Sequence, residues 1–232
     1  MTERQAQRRP HTARVAKERR PRRRPAIADY RRRTLIEGTI RSLAEHGVAG
    51  TTLKTIAEAA GASHGLVGHY FGTKDELLAA AYRHLCDTIA QAIARLARDV
   101  GPDALARLDA TVAVTFDASV FDPVNLRAFV MFWHEALANP TLRAIKHELY
   151  DDYRATTAYL FARAAAEHGV AVDSRAASIG LLALIEGLWL ELALDPATCT
   201  PAEAKAIGRA YIAGVLASPP PHKEAPWPAA TP

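Results

Sequence analysis

The chain has 232 residues, of which 49% are hydrophobic and 23% charged, a balance suited to a soluble globular protein long enough to bury a core. No apolar run reaches the ~18 residues of a membrane span, no apolar segment of a secretory signal is visible, and Cys86 and Cys199 form no paired spacing. These features argue against a membrane protein or a disulfide framework and fit a reducing cytoplasm. The net charge of +4 is unevenly spread: residues 1–33 hold 13 basic and 3 acidic side chains, so the remainder carries −6. Positive charge gathered at one end suits attraction to phosphate.

Residues 1–27 are Arg- and Pro-rich with little apolar periodicity, and are expected to be a disordered basic tail. The tail either adds nonspecific DNA affinity or has no dedicated role. Residues 29–46 form a first helix, with Leu35, Ile36, Thr39, Ile40 and Leu43 as its apolar stripe and Gly47 as its stop. The stretch TTLKTIAEAAGASHGLVGHYFGTK, residues 51–74, follows. Leu53, Ile56, Ala57 and Ala60 are one face of a short helix that Gly61 ends by accepting a left-handed turn. Ser63 is a suitable N-cap for a second short helix, in which Leu66, Val67, Tyr70 and Phe71 fall at helical spacing. Two short helices joined by a turn with glycine form a helix-turn-helix, whose second helix enters the DNA major groove.

Residues 74–100 read as one long helix, broken by Gly101 and Pro102. Further helices are expected over 103–119, 123–139, 140–168, 173–194 and 201–217, and a Pro-rich disordered tail over 218–232. No stretch alternates like a strand. The expected fold is all-α: a DNA-binding domain over 28–74 and a helical ligand-binding and dimerisation domain over 75–217.

The order of an apolar first helix, TTLKTIAEAAGAS and HGLVGHYFGTKDELL closely resembles the DNA-binding domain of TetR-family transcriptional repressors. The segments FVMFWHEALANPTLRAI and LALIEGLWLELAL resemble a narrower group, the BetI-type repressors that respond to choline. The resemblance implies a homodimer formed through the last two helices, a pseudo-palindromic operator and release by a small molecule. It also implies that movement of the long connecting helix alters the separation of the two recognition helices.

By family position, His64, Gly65, Gly68 and His69 face the groove, with Ser63 at the helix start. Tyr70 and Lys74 match phosphate contacts, and Thr52 and Lys54 reach the backbone or a nearby base. The two glycines let the helix approach closely; the histidines can hydrogen-bond to base edges. His64 and His69 lie five apart, the wrong spacing for a metal pair on one helix face. Many relatives carry an aromatic or polar residue where this chain has Gly68, which implies fewer direct base contacts here, so the operator does not follow by analogy.

A quaternary ammonium donates no N–H hydrogen bond and is held by aromatic faces and carboxylates. Phe129 and Trp133 share a helix face, as do Glu186 and Trp189. Tyr153 joins them as a ligand candidate, with Asp152 and Glu135 behind. Packing within the core is the competing reading for each aromatic, and an ion-pair partner the competing reading for Glu186. No metal or cofactor is expected. An enzyme finds no support, because no nucleophile–base constellation or phosphate loop occurs. Two alternatives stay open: a TetR-type regulator of an efflux or catabolic operon with another ligand, and a protein that coats DNA nonspecifically.

Overall fold

The computed structural model describes residues 23–120 and 122–217. Among these the chain is all-α, as expected: α1 (Arg23–Gly50), α2 (Leu53–Ala60), α3 (His64–Tyr70), α4 (Lys74–Asp99), α5 (Ala104–Thr115), α6 (Pro123–Ala138), α7 (Pro140–His168), α8 (Ser174–Leu194) and α9 (Pro201–Ala217). Residues 1–22 of the expected basic tail and the Pro-rich tail at 218–232 lie outside the described residues.

Short polar side chains set where the helices begin. Thr73 accepts from the Glu76 amide, Asp103 from Ala106, and Asp173 from Ala176. Asp122 and Asn139 each accept from two amides and are followed by Pro123 and Pro140, whose fixed φ and missing N–H suit a first helical position. Thr200 and Glu203 cap α9 reciprocally, with the Thr200 amide donating to Glu203 at 2.7 Å.

Two boundaries differ from expectation. Helix α1 starts at Arg23, inside the stretch expected to be tail. Pro25 does not prevent this, since first-turn amides have no intrahelical partner. Helix α5 stops at Thr115 rather than near 119, where Asp117 turns the chain by accepting from both the amide and the hydroxyl of Ser119. Gly47 interrupts α1 as expected, at φ 65° and ψ −175°, and one further turn then runs to Gly50.

A small cluster of Leu35, Ile56, Ala57, Ala60, Val67, Phe71 and Leu77 ties α1, α2 and α3 to the start of α4. A large cluster around fully buried Tyr82, Phe132 and Phe161 fills most of the rest, beside a third cluster of Ala92, Val114 and Val120. Helix α1 serves the first two, since Ile40 and Leu43 belong to the large cluster, and it packs along α6 as well as on α2. The two parts therefore meet through α1 and α6 in addition to the connecting helix α4.

Helix α8 is apolar over 21 residues, long enough by composition to cross a bilayer, although no such run was expected. Its buried side packs on α7 and α9, while Ile179, Leu190 and Leu194 stand exposed.

Candidate nucleic-acid interface and effector cavity

Helix α3 is held by its back. Val67 and Phe71 are buried in the small cluster, Tyr70 is half-buried against it, and Leu66 is half-buried. The Arg32 guanidinium, on α1, lies 4.5 Å from the centre of the Phe71 ring, a cation–π contact. Gly61 sits at φ 59°, ψ 33° and donates to the carbonyls of Ala57 and Glu58, which turns the chain sharply from α2 to α3. The Arg41 guanidinium grips the end of α2 through the Ala59 carbonyl at 2.7 Å.

His64, Gly65, Gly68 and His69 are all exposed. At about 100° per residue they cover one continuous face of α3. A Cβ on Gly65 or Gly68 would meet nothing within 4 Å, so neither glycine is required by the chain's own packing. Ser63 has the extended backbone of an N-cap but makes no side-chain capping bond, so its hydroxyl is not spent on the helix. Thr52 caps α2 in a reciprocal pair with Thr55, a feature absent from the sequence reading, and Lys54 is exposed beside Glu58 at 4.0 Å. Tyr70 meets the His69 ring edge-to-face at 5.2 Å. Lys74 is half-buried, and its ammonium donates to the Val48 carbonyl at 2.8 Å. That bond ties the start of α4 to the last turn of α1, and leaves two of the three ammonium hydrogens for other acceptors.

A cavity of ≈600 Å³ opens between α4, α5, α6, α7 and α8. Phe129, Tyr153, Glu186 and Trp189 line it, as does Asp152. Trp133 stands behind this wall. Its ring stacks on Trp189 at 6.5 Å and 19°, and its indole N–H donates to the Tyr150 hydroxyl at 2.9 Å. Glu135 is not part of the lining. The Trp189 indole N–H donates to the Thr115 carbonyl at 3.1 Å, which anchors α8 to the end of α5.

Glu186 is paired, with Lys146 Nζ 3.3 Å from its Oε1. The same ammonium lies 3.5 Å from the centre of the Tyr150 ring. Three neighbours escaped the sequence reading: Tyr82, Cys86 and Tyr150. Burial pushes the Cys86 thiol up to about 12 and raises all three phenols, Tyr82, Tyr150 and Tyr153, with the negative charge of Glu186 adding to each shift. These groups therefore stay protonated at neutral pH. The hydroxyls of Tyr82 and Tyr153 are buried with no hydrogen-bond partner among the described residues. Lys146 and Tyr150 at i, i+4 were the available sequence signal, but it appears only once Glu186 is placed across from them.

An exposed helix-turn-helix joined to a helical bundle with an apolar cavity defines a ligand-responsive DNA-binding regulator. A family model for the C-terminal domain of BetI-type transcriptional repressors matches residues 104–217, and one for bacterial regulatory proteins of the tetR family matches residues 35–81. The HTH-type transcriptional regulator BetI of Paraburkholderia xenovorans is 38% identical over 196 residues, spanning 83% of this chain and 96% of that protein. A solved transcriptional regulator from Pseudomonas aeruginosa superposes with a TM-score of 0.74 at 33% identity, over 82% of this chain and 91% of that one. A regulator from Saccharomonospora viridis, solved in complex with choline, shares the fold at a TM-score of 0.70 and 22% identity, over 80% of this chain and 96% of that one. The chain belongs to the TetR family of transcriptional regulators, with a C-terminal domain of the BetI type. It is a regulator rather than an enzyme.

Proposed function

We propose that the protein is a cytoplasmic repressor that binds a pseudo-palindromic operator as a homodimer and is released by a small cationic effector, with choline the leading candidate. Residues 28–74 read the DNA, and residues 75–217 hold the effector and the dimer contact. Ser63, His64, Gly65, Gly68 and His69 enter the major groove. Thr52, Lys54, Tyr70 and Lys74 fix the register on phosphate. The exposed apolar side chains of α8 and α9 — Ile179, Leu190, Leu194 and Ile207 — supply the dimer contact. Two recognition helices then stand roughly 34–36 Å apart, one turn of DNA.

The observation that carries this reading is the cavity wall. Phe129, Tyr153 and Trp189 face the same space as Glu186, and Trp133 backs them. Aromatic faces with one carboxylate are what a quaternary ammonium needs. An effector that prefers one tilt of α4 shifts the spacing of the two α3 helices, and linkage then weakens DNA binding. Repression follows by occlusion of the promoter.

The cavity's size favours a second reading. A volume of ≈600 Å³ suits a drug-sized molecule, and the α4 wall continues through Ile89, Ile93 and Ala97. A regulator of an efflux or catabolic operon with a bulkier ligand fits that observation. Calorimetric titration with choline, beside its neutral isostere 3,3-dimethylbutanol, separates the readings. Saturable binding of choline alone, together with release of a promoter fragment, supports the first. Absence of choline heat at several temperatures removes choline and leaves the bulkier ligand.

A further inference from the structure

Lys146 takes up the interactions that a cationic ligand would use. Its ammonium is 3.3 Å from Glu186 and 3.5 Å from the centre of the Tyr150 ring, a carboxylate and an aromatic face that both line the cavity. The Tyr150 ring is held in place, because its hydroxyl accepts from the Trp133 indole at 2.9 Å. Glu186 and Lys146 side chains are only 27% and 29% exposed, so the pair is neither freely solvated nor sealed in, and the lysine stem has a route outward.

We propose that Lys146, which stands just outside the cavity lining, is a tethered cation that holds the Glu186 carboxylate and one face of Tyr150 in the ligand-free protein, so that a cationic effector must compete with it for that carboxylate. This rests on the cavity being the effector site. A second cation cannot share the Glu186 carboxylate and the Tyr150 face with the ammonium without strong like-charge repulsion. The apparent affinity of an external cation is therefore reduced by the fraction of molecules in which Lys146 has swung away. Lys146 acts as a specificity residue: it excludes cations that bring charge alone, and admits those whose apolar groups gain enough from the Phe129–Trp189 wall to compensate.

The test uses the full-length protein and tetramethylammonium chloride, followed by tryptophan fluorescence, with choline titrated in parallel. Lys146→Met keeps the length of the stem and removes the charge. It is expected to bind tetramethylammonium at least tenfold more tightly than the wild type, about 1.4 kcal/mol. Glu186→Gln added to it should cancel the gain. In wild-type protein carrying ¹³C-lysine, the Lys146 ε-methylene protons should lie upfield over the Tyr150 ring. They should move back toward their ordinary position at saturating ligand. Equal affinity in wild type and Lys146→Met overturns the tethered cation while leaving the choline reading standing. Binding of tetramethylammonium by Lys146→Met, with no choline binding by the wild type, upholds the tethered cation and rejects choline. No cation binding to either protein rejects both. If Lys146→Met does not fold, the wild-type ε-methylene signal decides, and a signal unmoved by saturating ligand overturns the proposal.

Discussion

The DNA-reading part and the effector part are built to different tolerances. Around α2 and α3 the turns are set largely by local signals: a capping pair at Thr52 and Thr55 and a left-handed Gly61, with a small cluster that holds the back of α3. Around the cavity, position depends on distant partners. Trp189 is anchored 74 residues away on Thr115, and Lys146 meets Glu186 across 40 residues of chain. Local signals set the turns that present the exposed face of α3. Long-range contacts give a chamber whose walls can rearrange, since several of its polar groups have their partners on other helices. A regulator needs the first to recognise DNA and the second to respond to a ligand.

The largest expected effect would test whether the two parts are independent. Phe132 is fully buried and stacks on Tyr82 at 4.9 Å. Phe132→Ala should cost about 3–5 kcal/mol in urea unfolding. Because α1 contributes to both clusters, the reading head should unfold in the same transition. A separate later transition of the DNA-binding part would show that the contrast is deeper than the shared helix implies.

Gly38→Val should act on the reading head alone. A Cβ there would lie 2.6 Å from the Ala60 Cβ and 2.9 Å from its backbone, where α1 and α2 approach most closely. Overpacking of this kind costs about 1–3 kcal/mol. Operator binding in a mobility-shift assay should be lost at protein concentrations that saturate the wild type, while effector binding is retained.

The chamber should be the part that fails in alkali. The Cys86 thiol rises from an ordinary 9.0 to about 12, and the Tyr82, Tyr150 and Tyr153 phenols rise with it. A folded state that holds its protons more tightly is fully stabilised below about pH 9 and loses that advantage as pH climbs toward 12. Melting temperature should fall over that range, and less steeply in Cys86→Ala. A flat profile would mean that these groups ionise without disturbing the fold.

The smallest change separates folding from function. Gly68→Ala fills open space on α3 and removes a helix-interior glycine, so it should stabilise the protein by up to about 1 kcal/mol. Operator affinity should nevertheless fall, as the added methyl stands where the groove approaches. Unchanged affinity would remove Gly68 from the DNA surface.

What the sequence made legible follows the same division. Helices α4, α6, α7, α8 and α9 fall within a residue or so of their expected limits, because prolines, glycines and capping side chains are local marks. The exposed face of α3 was readable from spacing within seven residues. Phe129, Glu186 and Trp189, conspicuous in the sequence as an acid and aromatics on apolar helices, line one cavity. Trp133, which shares a helix face with Phe129, stands one layer behind that lining against Trp189, a depth that periodicity does not resolve. Lys146 was invisible for another reason: on its own helix it looks like any solvated lysine, and only the packing of α7 against α8 gives it Glu186. The contact of α1 with α6 is likewise a product of tertiary packing.

Helix α4 has its cavity wall toward one end, at Cys86–Ala97, and Lys74 at the other. Its 26 residues make a rod about 39 Å long. A tilt of only about 5° would carry the far end of such a rod through roughly 3.4 Å, the axial rise of one base pair. With the pivot at the cavity end, displacements of well under an ångström there would be geared up to a whole step of the DNA ladder. The Lys74–Val48 hydrogen bond and Leu77, buried in the small cluster, fasten that end of the rod to the reading head.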